Sequence, residues 1–101
     1  MREVIIADAA LEDLVSIRAW LRQPGAGLRA ARLLRQIEAA LRDLSIAPCR
    51  WPVGEHQEVR ERVVERYVIL YQVRPDTADN ATAGDVEVIR VFGPGQSRAW
   101  R

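Results

Sequence analysis

The feature that most constrains this chain is a change of period. Apolar residues recur at helical spacing from Ala10 to Leu44, then the period changes to that of strands over 59–73 and 85–92, on either side of the polar stretch 75–84. The joint between them, 45–54, reads Ser-Ile-Ala-Pro-Cys-Arg-Trp-Pro-Val-Gly, and its prolines and glycine let neither pattern continue. A helical half followed by a stranded half buries both apolar surfaces by packing helices on one face of a sheet. At 101 residues the chain suits a single domain, 1–101, around one core.

Each half divides further. The opening Arg-Glu-Val-Ile-Ile-Ala at 2–7 is short and β-branched, which predicts a strand, and Asp8 offers a carboxylate where a helix begins. Ala10, Leu14, Ile17 and Leu21 then form an apolar stripe, with Glu12, Asp13, Arg18 and Arg22 directed outward. Gln23-Pro24-Gly25-Ala26-Gly27 breaks this helix. A second helix runs from about Leu28 to Leu44, with Leu33 or Leu34, Ile37, Leu41 and Leu44 on one stripe, so the two form a helical hairpin. Beyond the joint, 59–65 and 67–73 predict two strands turning near Glu65-Arg66, and Asp85 to Phe92 predicts a third. The polar, small-residue stretch 75–84 reads as a mobile loop. The expected fold is α+β: an N-terminal strand, a helical hairpin, then a three-stranded antiparallel meander forming one sheet with the first strand. One layer of helices leaves the other face of the sheet, or a groove beside the helices, for a partner.

Composition removes several classes of function. Fifteen basic residues against 14 acidic ones leave a net charge of +1, which does not describe a uniformly basic nucleic-acid binder. All the basic residues are arginine, which does not titrate near neutral pH, so proton transfer would fall to other groups. His56 is the only imidazole and Cys49 the only thiol, which excludes an internal disulfide and any site built on several histidines. Cys49, between Pro48 and Arg50, reads as a packing residue. No metal or cofactor is expected, and the phosphate-loop, dinucleotide, zinc-protease and nucleophile-elbow motifs do not occur. The longest apolar run, Val4 to Ala7, is far short of the roughly 20 residues of a membrane-spanning helix. No membrane partner is expected, and an opening without a signal-like apolar stretch predicts a cytoplasmic protein.

The arginines of the second half, Arg60, Arg62, Arg66, Arg90, Arg98 and Arg101, are candidates for binding phosphates or carboxylates. Ion pairs with Glu58, Glu61, Glu65 and Glu87 are expected to occupy most of them. Arg90 interrupts an apolar strand, where it needs either a partner or an open site. Tyr67 and Tyr71 share one face of their strand, and Tyr71 reads as core. Trp100, behind Gly93-Pro94-Gly95, reads as an anchor on the domain or in a partner's pocket.

The order of these pieces resembles the ParE and RelE superfamily of type II toxin-antitoxin toxins. The resemblance rests on the opening strand into Asp8-Ala9-Ala10-Leu11-Glu12-Asp13-Leu14 with Ile17 and Trp20-Leu21, and on Leu41-Arg42-Asp43-Leu44-Ser45-Ile46-Ala47-Pro48. The run from Val59 to Val73 and the closing Val86-Glu87-Val88-Ile89-Arg90-Val91-Phe92-Gly93 complete it. It implies a small toxin held in a hetero-oligomer by a cognate, ParD-like antitoxin, with Leu14, Ile17, Leu21, Leu34, Ile37 and Leu41 as the antitoxin-binding residues. RelE-like members resemble ribosome-dependent mRNA endonucleases, which on this chain would place Arg62, Tyr67 and Arg90 in catalysis on mRNA at the ribosome. ParE-like members resemble poisons of DNA gyrase, with Arg62, Arg90, Arg98 and Trp100 as target contacts. The chain lacks the lysines and the C-terminal His-Tyr or Tyr residues of the nucleases, which places the resemblance closer to ParE.

Overall fold

The computed structural model describes residues 2–94. Its elements are β1 (Val4–Ile6), α1 (Asp8–Leu21), α2 (Gly27–Asp43), β2 (Arg60–Val64), β3 (Tyr67–Arg74) and β4 (Asp85–Phe92). They form one sheet in the order β1-β4-β3-β2, in which β2, β3 and β4 are an antiparallel meander and β1 runs parallel to β4. A parallel pair needs a long crossover, and the helical hairpin is that crossover. The expected α+β architecture is the observed one.

Local chemistry explains most boundaries. Gly25 and Gly27 both have positive φ, +87° and +85°, and reverse the chain between the helices where a side chain would be strained. Asp8 is not the cap of α1. Ala7 holds that position without a side-chain hydrogen bond, and Asp8 acts on the helix end from its first turn through charge.

The core lies between the helices and the sheet, with α1 along β4 and α2 against β2. Ile17, Leu21, Leu34, Ile37 and Leu44 meet Ile69, Tyr71, Val88 and Val91 there. Tyr71 is fully buried and donates its hydroxyl to the Pro48 carbonyl at 2.6 Å, which ties the proline-rich joint to β3. Burial pushes its phenol pKa up. The far face is not left open as expected: Val59, Val68, Leu70 and Phe92 form a second buried cluster on it.

A β-bulge shapes the end of β4. Leu70 pairs with Arg90 and Tyr71 with Val88, so Ile89 is the extra residue. This turns Arg90 to the far face beside Phe92, with its guanidinium 4.8 Å from the ring centroid. β1 ends opposite Val88, and past that point the edge of β4 has no strand beside it. Asp13 of α1 takes the missing strand's place. Its Oδ2 accepts the Val91 N–H at 2.9 Å and Arg90 Nε at 2.7 Å, and its Oδ1 accepts Arg90 Nη2 at 3.0 Å. Asp13, expected to point outward, is therefore mostly buried, and Arg90 has the partner its position demanded. Asp13→Ala is expected to cost about 2–3 kcal/mol in urea unfolding, because it strands a backbone donor and a guanidinium together. Asp13→Asn keeps an acceptor for Val91 and should lose less. A cost under about 0.5 kcal/mol for the alanine variant, typical of a surface change, would contradict this role.

The 75–84 loop is held rather than free. Arg2 donates to the carbonyls of Ser45, Asn80, Ala83 and Gly84, Asn80 Oδ1 accepts the Cys49 N–H at 2.7 Å, and Asp76 pairs with Arg60. Composition reports turn chemistry, but these tethers come from residues distant in sequence.

Candidate functional site

The arginines singled out in the sequence are engaged in different places. Arg60 is 8% exposed, and its Nε and Nη2 bind the two oxygens of Asp76 at 2.8 and 3.0 Å. Its Nη1 donates to the carbonyls of Trp51 at 2.6 Å and Cys49 at 3.3 Å. That hydrogen-bonded guanidinium holds the Asp76 carboxyl below the usual carboxylate range, against the opposing effect of burial. Arg62 lies over the Trp51 ring at 3.9 Å. Its Nη1 reaches the Ala40 carbonyl at 3.4 Å and Asp43 at 3.6 Å, at the C-terminal end of α2, where helix carbonyls lack internal partners. The expected partner Glu87 pairs with Arg74 at 3.7 Å, whereas Arg60, Arg62 and Arg90 take Asp76, Asp43 and Asp13.

These placements decide what the candidates do together. Arg62 sits opposite Ile69, on the helix-facing side of the sheet, and Arg90 opposite Leu70, on the far side. Tyr67 is buried in the helix-facing core, and burial pushes its phenol pKa up. It borders a surface pocket of about 270 Å³ with Ser16, Ile17, Trp20, Gly93 and Pro94. The fold therefore distributes Arg62, Tyr67 and Arg90 rather than gathering them. Arg98 and Trp100 lie outside the described residues. Cys49 is half-buried, and burial together with Asp76 raises its thiol pKa, the state of an unreactive packing thiol. Among the described residues no group of three His, Cys, Asp or Glu side chains gathers as metal ligands. Among the described residues no helix is long and apolar enough to cross a membrane.

The six residues expected to bind an antitoxin separate into two sets. Ile17, Leu21, Leu34 and Ile37 are buried against the sheet, where the fold itself uses them. Leu14 and Leu41 are half-buried and line a groove of about 230 Å³ between the helices, with Leu34 and Ile37 at its floor. Sequence reasoning missed the exposed apolar residues of that groove, Leu11 and Val15. Their signal is an i, i+4 apolar pair beside the main stripe of α1, a second stripe that the core does not need.

A helical hairpin crossing one face of a four-stranded, mixed sheet is a compact α+β class with little room for insertions. Within that class, the family model described as ParE toxin of type II toxin-antitoxin system, parDE, matches residues 4–96. The chain belongs to the ParE toxin family. Among solved structures, a chain of the chromosomal ParDE TA system from P. aeruginosa superposes with a TM-score of 0.70. The match covers 92% of this chain and 96% of that one at 14% identity, a likeness of fold. No curated protein sequence matches.

Proposed function

We propose that this ParE-family toxin arrests growth by inhibiting DNA gyrase, and that a ParD-like antitoxin silences it by laying an amphipathic segment into the groove between α1 and α2. The separation of Arg62, Tyr67 and Arg90 carries the first part. Cleaving RNA through its 2′-hydroxyl needs a proton acceptor, a proton donor and cations converging on one phosphate. Here the two cations are on opposite faces of the sheet, and Tyr67 is buried in the helix-facing core. Trapping a topoisomerase needs a complementary surface and no proton transfer, which fits a chain whose candidate arginines Arg62 and Arg90 are each held by a carboxylate. The apolar residues exposed in the groove, Leu11 and Val15, support the second part.

Tyr67→Phe separates this reading from mRNA cleavage. The ring stays in the core and only the hydroxyl is lost, so growth arrest by the variant in liquid culture is expected to match that of the parent. Loss of arrest in a variant that still folds would transfer the activity to a catalytic phenol.

A further inference from the structure

The pocket bordered by Tyr67 is left incomplete by the fold. It lies where the second half of α1, the start of β3 and the end of β4 meet, and Ser16, Ile17, Trp20, Tyr67, Gly93 and Pro94 line it. Tyr67 is 5% exposed, and among the described residues its hydroxyl has no hydrogen-bond partner. A buried phenol oxygen ordinarily has one, as Tyr71 has the Pro48 carbonyl. At the rim, Trp20 is 65% exposed, a large ring that the core does not take up.

Size and position decide the occupant. At about 270 Å³ the pocket falls below the roughly 300–1,000 Å³ of small-molecule sites, so it suits one large side chain rather than a cofactor. Two of its wall residues, Gly93 and Pro94, lead directly into Gly95-Gln96-Ser97-Arg98-Ala99-Trp100-Arg101. Pro-Gly is favoured at the centre of a tight turn, so the sequence at 94–95 is suited to sending this segment back across the pocket. Trp100 stands six positions past Pro94, a reach of about 20 Å when fully extended, so its indole comes to the pocket within one molecule. An indole is apolar over most of its surface and carries one N–H donor, which matches the exposed ring of Trp20 and the unmet oxygen of Tyr67. The tether adds a high effective concentration that a separate partner lacks.

We infer that this pocket is the seat of the chain's own segment 95–101, with Trp100 packed on Trp20 and its indole N–H donated to the Tyr67 hydroxyl. Trp100 then serves the toxin's own surface rather than a target. The inference goes beyond inhibition of gyrase and is measured without gyrase or antitoxin, so either idea can fail while the other stands.

The test is tryptophan fluorescence of the full chain carrying Trp20→Phe and Trp51→Phe, which leaves Trp100 as the only indole and keeps a ring at the rim. Relative to the same chain in urea, its emission is expected to shift to the blue and its quenching by acrylamide to be at least about threefold weaker. Filling the pocket with Ser16→Arg, or with Ser16→Phe as a second variant at this exposed position, is expected to return the quenching to the unfolded value. Ile46→Arg, 73% exposed beyond the far end of α2, adds the same charge elsewhere and is expected to leave Trp100 shielded. Circular dichroism confirms that the variants fold. Equal quenching in native buffer and in urea would overturn the inference, as would shielding that survives both Ser16 variants. Shielding that disappears on dilution would place Trp100 in a second copy and overturn it equally.

Discussion

Asp76→Ala is expected to destabilise the fold by about 2–3 kcal/mol, because it leaves the buried Arg60 guanidinium without its partly exposed charged partner. Arg60 would remain buried with two of its donors unmet, and the 75–84 loop would lose its attachment to β2. For a domain of this size each kcal/mol moves the melting midpoint by about 4–8 °C, so a drop of more than about 8 °C is expected in a circular dichroism melt. Replacing both partners together, Arg60→Met with Asp76→Leu, should recover much of the loss, because no stranded charge remains. The same pair has a pH signature. The Asp76 carboxyl lies below its unfolded value, so its contribution is present above that value, about pH 4, and is lost as pH falls through the lower native value. Asp76→Asn should remove this part of the acid sensitivity. A loss below about 1 kcal/mol for Asp76→Ala would mean that the pair contributes no more than a surface bridge.

The second large effect concerns silencing. Leu11→Glu with Val15→Glu places two carboxylates in the groove between the helices while leaving the core stripe of α1 untouched. Antitoxin affinity measured by calorimetry is expected to fall at least about 100-fold, the cost of a lost apolar anchor plus buried charge. Since a ligand that binds only the folded state stabilises it, the antitoxin should raise the melting temperature of the parent and barely move that of the variant. Ile37→Ala would be a poor substitute for this experiment. That side chain is fully buried, and its loss would unfold the toxin before it tested an interface. Antitoxin binding that survives both glutamates would place the partner on another face.

The contrast between Leu11 and Ile37 marks what was legible in the sequence. Periodicity located both helices and the three strands of the meander, because burial on one side imposes a repeat, while β-branched composition marked β1. The same signal does not separate a stripe that the core consumes from one that it leaves exposed. The strongest apolar stripe of a helix is the one its own fold consumes, so Ile17, Leu21, Leu34 and Ile37 went to the core. The apolar residues left exposed, Leu11 and Val15, form a weaker stripe about one position away around the helix. Charge partners were hidden for a different reason. Arg90 reaches Asp13 across 77 positions, and does so only because β1 stops early and a bulge at Ile89 turns the guanidinium toward the open edge. Arg60 and Asp76 meet because the loop after β3 folds back over the proline-rich joint. Neither register nor loop path is encoded in local composition, which is why nearby glutamates were the expected partners.

Supercoiling of relaxed plasmid by purified gyrase, with and without this protein at matched concentrations, tests the central claim most directly. The account predicts inhibition together with accumulation of linear DNA from trapped cleavage complexes, both reversed when the cognate antitoxin is added. Unaffected supercoiling by a preparation that still arrests growth would contradict it.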